Sequence, residues 1–166
     1  MTTESAFQLL HQSVRRVVFE QGWTNLRLVQ AKAIAAYFET ADDQLIIAPT
    51  AGGKTEAWAL PGLSALIEDP QPSIQIICIS LLKALINDQF LRLSNLSKNL
   101  GVPVHRWHGD VDQQHKQALR KNPRGVLVIT PESLEATLMN RSATVPGLFG
   151  RLQLIVVDEV HALLDE

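Results

Sequence analysis

Five short apolar runs divide the chain: QLIIA (44–48), SIQIICIS (73–80), VPVHRW (102–107), GVLVIT (125–130) and LQLIVVD (152–158). Most are continuous rather than alternating, as in strands covered on both faces. Between them, apolar residues recur at helical spacing near 54–68, 82–99, 112–121 and 132–140. Strand–helix alternation of this kind predicts an α/β fold with a mainly parallel sheet flanked by helices. Pro61 lies inside the first helical stretch and cannot donate to the Ala57 carbonyl, so a kink is expected there. Two more helices are predicted ahead of the first run. Over 5–20, Phe7, Leu10, Val14, Val17 and Val18 form one apolar stripe. A second helix, about 26–39, follows a break from Gly22 to Asn25, with Thr24 or Asn25 as its N-cap.

Composition narrows the class. With 166 residues, 46% hydrophobic and 19% charged, the chain has the balance of one globular domain, and it contains no internal repeat or low-complexity tract. A net charge of −2 excludes a broad basic coat, so any contact with nucleic acid must be local. The single cysteine, Cys78, sits in an apolar run and is expected to be a buried strand residue. The start carries no basic segment ahead of a long apolar one, and no run reaches membrane-spanning length. A soluble, cytoplasmic protein without membrane contact is expected.

The chemistry gathers after the runs, in PTAGGKT, SLLKAL, HGD, TPESL and DEVH. In a parallel sheet these loops share one edge, where ligands of such folds bind. The stretch APTAGGKTEAW (48–58) fits G-x-x-x-x-G-K-[ST] except that Ala48 replaces the first glycine. Backbone N–H groups of Thr50, Ala51, Gly52 and Gly53 would cradle phosphate oxygens at a helix start, and Lys54 would reach the β/γ-phosphates. The Thr55 hydroxyl would ligate Mg²⁺. Ala48 ends a strand and needs no special backbone, whereas Gly52 and Gly53 allow close approach. The plain rival is a glycine-rich turn with a surface lysine. Further on, LIVVDEVH (154–161) sets two acids at a strand end. Phosphoryl transfer needs a carboxylate on the metal and a group orienting water; Asp158 suits the first role and Glu159 the second. ATP with Mg²⁺ is the expected ligand. His105, His108 and His115 have no cysteine pair with them and make a poor zinc set.

From about Phe19 onward, these segments resemble the first RecA-like lobe of superfamily 2 DEAD/DEAH-type helicases. The likeness is strongest to the large helicase-related branch, which carries DEVH or DEIH boxes and opens its phosphate loop with alanine. SLLKALINDQ resembles motif Ia, with Leu81 in place of a proline, TPESL resembles motif Ib, and HGD the glycine-bearing turn between them. GWTNLRLVQAKAI resembles a Q motif. The resemblance implies Gln30 as adenine reader, with Phe19 or Trp23 stacking on the base. It also implies Ser80, Lys83, Gly109, Thr130 and Pro131 as contacts to nucleic acid, and His161 as a link between the two ligands.

It implies as partners single-stranded or partly duplex nucleic acid and, after a motif III of S-A-T type, a second RecA-like lobe in cis or trans bearing arginine fingers. The whole of 1–166 then reads as one ATP-binding lobe ending after motif II, with DNA favoured over RNA and little turnover expected alone. Two other readings stay open: a P-loop ATPase or kinase without a nucleic-acid role, and a non-catalytic ATP-binding module. TPESL is also a good helix start, with Thr130 as N-cap and Pro131 at the first position, and Gln30 and Lys83 could be solvated surface residues.

Overall fold

In the computed structural model, which describes residues 2–49 and 51–160, the stripe over 5–20 folds as two helices rather than one. They are α1 (Thr3–Leu9) and α2 (Gln12–Glu20). The break falls where the His11 ring accepts the Ser13 N–H at 3.2 Å and the His11 N–H donates to Ser64 Oγ at 3.1 Å. The apolar spacing continues unbroken across it, since Leu10, Val14, Val17 and Val18 are all buried. Helix α3 (Leu28–Glu39) follows, then α4 (Lys54–Glu68), which runs on through the buried Pro61. Ala57, Leu60 and Leu63 of α4 are fully buried, and α3 packs along it. A leucine buried this completely contributes about 1.5–3 kcal/mol.

These elements form one compact unit, Met1–Asp69, and a second spans Pro70–Glu166. The second unit holds β1 (Ile74–Ile79), α5 (Lys83–Ser97), β2 (Val104–Trp107), α6 (Gln113–Lys121) and β3 (Gly125–Ile129). It continues with α7 (Pro131–Asn140), a 3-10 turn at Ser142–Thr144, the short α8 (Val145–Phe149) and β4 (Leu154–Val157). The turn and α8 carry no helical signal long enough to have been expected. All pairings are parallel, in the order β2-β3-β1-β4. The chain leaves β1 for the far edge, returns beside it as β3, and crosses to its other side as β4. Helix α5 packs on β2 and β3, and α8 on β1. Ile74, Ile77, Trp107, Leu119, Leu127 and Ile129 make the core.

One expected strand is missing. Residues 44–48 form no ladder, and Leu45 and Ile47 remain 74% and 80% exposed. Apolar composition predicts a buried strand only if another strand accepts its backbone groups, and among the described residues none pairs with this run. The α3 start is also shifted. Arg27, not Thr24 or Asn25, is its N-cap, because the Gln30 side chain reaches back to the Arg27 N–H at 2.9 Å.

Cys78 lies on β1 as expected, fully buried. Burial first, and the Asp158 carboxylate second, push its thiol up to about 12. The thiolate is the nucleophile, so Cys78 is expected to stay unlabelled by a thiol reagent at neutral pH until the protein is unfolded. Rapid labelling of native protein would contradict its burial.

Candidate nucleotide and nucleic-acid site

In the first unit the phosphate-loop residues lead into α4. Gly53 is its N-cap at φ +88°, Lys54 is its first residue, and Thr55 is buried just behind. Glycine at the N-cap offers the first turn no side-chain acceptor, which suits that helix start to an anion. Ala51 sits at φ +58°. Gly52 needs its small size for another reason: a Cβ there would lie 2.6 Å from the Pro49 carbonyl oxygen. Thr50 and His161 lie outside the described residues.

Gln30 is buried rather than solvated. Its Oε1 accepts the Arg27 N–H, and its Nε2 donates to the Gly53 carbonyl at 3.5 Å. Arg27 also donates through Nη1 to the Ala51 carbonyl. The start of α3 thus braces the loop at two points. Phe19 is 80% exposed and Trp23 half-buried.

In the second unit the register places four residues in one row past the strand ends: His108, Thr130, Ser80 and Asp158, following β2, β3, β1 and β4. Thr130 N donates to Trp107 O at 3.3 Å, Ser80 N to Ile129 O at 3.1 Å, and Asp158 N to Ile79 O at 2.9 Å. Ser80 Oγ and both His108 ring nitrogens are buried and make no hydrogen bond among the described residues, although His108 Nδ1 lies 4.0 Å from Asp110 Oδ2. Burial lowers the His108 pKa, while the Asp110 carboxylate acts the other way. Thr130 caps α7, accepting the Ser133 N–H at 3.2 Å, with Pro131 at the first helical position. The helix-start reading of TPESL is therefore correct as structure, whatever else the segment does.

Lys83 opens α5, whose N-cap, Leu82, has no side-chain acceptor. Its ammonium meets both oxygens of Asp110 at 3.1 and 2.9 Å, holding that carboxyl below its usual pKa range. Both partners are exposed, so the pair adds little to stability. What it does is occupy the cation. Gly109 stands exposed between His108 and Asp110.

Asp158 and Glu159 are half-buried past β4, and Glu159 has φ +51°. Gln89, on α5, donates from Nε2 to Asp158 Oδ2 at 3.0 Å. This contact is not among the sequence expectations. Its signal was a glutamine within the apolar stripe Ile86–Leu93, since a buried amide requires a partner. No three His, Cys, Asp or Glu side chains cluster as a metal cage among the described residues. Magnesium typically takes one or two protein oxygens and completes its shell from phosphate and water. The Thr55 hydroxyl and the Asp158 carboxylate are each hard oxygens of the kind magnesium takes.

Among described non-glycine residues, only Ala51 and Glu159 have positive φ. Such backbone costs about 1–3 kcal/mol and concentrates at functional sites. Here it marks the two loops that the sequence nominates for phosphate and water.

Residues 27–166 match the model of the DEAD/DEAH box helicase family. The chain belongs to this family. Helicase relatives include the Lhr helicase/probable uracil glycosylase of Mycolicibacterium smegmatis, 34% identical over 98% of this chain and 12% of the relative. The ATP-dependent helicase Lhr-Core of Methanocaldococcus jannaschii is 27% identical over 98% of this chain and 21% of its own length. The chain therefore spans only a small part of these relatives. A structure of Mycobacterium smegmatis helicase Lhr bound to ssDNA and AMP-PNP superposes with TM-score 0.76 and 30% identity, over 95% of this chain and 21% of that one. Mss116p bound to ssRNA and AMP-PNP has the same fold, with TM-score 0.87 and 20% identity over 99% of this chain and 34% of that one.

Proposed function

We propose that this chain is the ATP-binding lobe of a helicase or translocase that steps along the phosphates of single-stranded or partly duplex nucleic acid, DNA in preference to RNA. The observation that carries the reading is the row His108–Thr130–Ser80–Asp158. It aligns the helix starts of α5 and α7 along the same sheet edge as the acid pair. Lhr, a relative bound to ssDNA and AMP-PNP, supports the choice of ligands.

In this reading the α4 start and Lys54 hold the β/γ-phosphates, Thr55 and Asp158 hold Mg²⁺, and Glu159 takes the proton of the attacking water. Bound Mg²⁺ supplies charge neutralisation on the phosphate oxygens. Gln30 keeps the loop in shape from behind and reads adenine with what its amide has left to offer. Lys83, Thr130 and Pro131 would meet the nucleic-acid phosphates at the starts of α5 and α7, which require no net positive charge, with Ser80 and Gly109 on the loops beside them. A second RecA-like lobe, in cis or in trans, would complete the site with arginine.

The test is ATP hydrolysis by this lobe together with a second one, over a range of oligonucleotides. Single strands are expected to stimulate turnover whatever their base sequence. Lys83→Ala with Thr130→Ala should weaken the stimulation, and the loss of the Lys83 contact should reduce the salt slope of binding by about 1. Asp110→Asn should act in the opposite direction, because it releases the Lys83 ammonium from its internal partner. Rates indifferent to every oligonucleotide would favour an ATPase or kinase with no nucleic-acid role.

A further inference from the structure

Gln89 interrupts the buried face of α5 between Ile86 and Leu93, and only 8% of its surface is exposed. A glutamine is an expensive choice there unless its amide is needed, because Ile86, Leu93 and Leu96 share that face and the other polar residue on it, Ser97, sits at the helix end. Its Nε2 donates at 3.0 Å to Oδ2 of Asp158, 69 residues further along the chain. The Asp158 backbone is fixed separately, by its N–H on the Ile79 carbonyl at 2.9 Å. One bond therefore sets where Asp158 stands and the other sets how its carboxylate is turned.

The donor's neutrality matters. A lysine or arginine in that place would put a cation on the carboxylate and compete with a metal ion. An amide orients the same oxygen and leaves the negative charge in place. Groups that hydrogen-bond a ligating carboxylate in this way commonly set metal affinity. We infer that Gln89 is a positioning residue for the Asp158 carboxylate, holding it in the orientation that receives Mg²⁺ with the nucleotide. The inference rests on the reading of Asp158 as a metal ligand.

The experiment measures the affinity of the 166-residue chain for a fluorescent ATP analogue across a series of Mg²⁺ concentrations and in EDTA. Gln89→Met keeps the length of the side chain and removes the donor. It is expected to raise the half-saturating Mg²⁺ concentration by about 10-fold or more, with affinity in EDTA and melting temperature unchanged. Gln89→Asn, which keeps the amide but withdraws it by one carbon, should shift it in the same direction. It decides the matter if Gln89→Met melts early. Asp158→Asn, run alongside, should shift the Mg²⁺ dependence at least as far. If Asp158→Asn shifts it and neither Gln89 variant does, the positioning role is overturned. If Asp158→Asn also leaves it unmoved, the metal-ligand reading beneath it fails instead.

Discussion

Glu159→Gln is expected to leave ATP affinity near the parent value and to cut steady-state hydrolysis by about 100- to 10,000-fold, the usual contribution of a general base. The amide preserves shape and size, so the backbone at φ +51° is asked to hold the same kind of side chain. What it loses is the capacity to accept the proton of the attacking water. The comparison belongs in a protein that carries both lobes, with nucleotide affinity and phosphate release measured on the same preparation. Hydrolysis persisting near the parent rate would remove Glu159 from the role of base. The water would then have to be activated elsewhere on the edge.

Lys54→Ala is expected to weaken nucleotide binding by about 100-fold, equivalent to ~3 kcal/mol for a lost charge-assisted hydrogen bond. Lys54 is the first residue of α4, so its side chain leaves the same helix start whose backbone N–H groups would face the phosphates. Those groups carry only the partial charge of a helix terminus, too little to match a triphosphate alone. Titration of a fluorescent ATP analogue against both proteins decides the point. Equal affinities would reduce the segment to a glycine-rich turn with a lysine beside it.

How much of this could be read from the sequence depended on whether the deciding interaction was local. The two inner strands, β1 and β3, were legible because each is a largely aliphatic run covered on both faces. By contrast β2 (VHRW) and β4, with Ile155 and Val157 exposed, were legible only from their place in the strand–helix alternation. The Thr130 cap was legible too, since hydroxyl, proline and helix lie within a few residues of one another. The run at 44–48 misled, because composition reports that a segment is apolar and says nothing of which strand will pair with it. The break between α1 and α2 was hidden by an apolar spacing that crosses it, and it is held partly by Ser64, 53 residues away. The pairing of Lys83 with Asp110 and that of Gln89 with Asp158 join residues 27 and 69 positions apart. No local pattern encodes the partner, although a glutamine in an apolar stripe announces that one exists. At the candidate site, the residue types were legible and their internal engagements were not. Gln30 was marked as a reader of adenine, but its role as a brace for the loop came only with the fold.

The contact between Gln30 and Gly53 has a bearing on how this family can vary. A Cβ at position 53 would lie 2.5 Å from Gln30 Nε2 and 3.2 Å from Arg27 Cδ, on a backbone at φ +88° that already favours glycine. An alanine there would strain the turn and also evict the amide that holds the turn from behind. The two positions are therefore coupled by this contact, while the left-handed backbone at 53 is the stricter demand of the two. A lineage that shortened residue 30 would relax the steric demand on 53 while keeping the backbone demand. Substitutions at 53 should then survive only beside a smaller residue at 30 and in a turn that no longer requires the left-handed conformation.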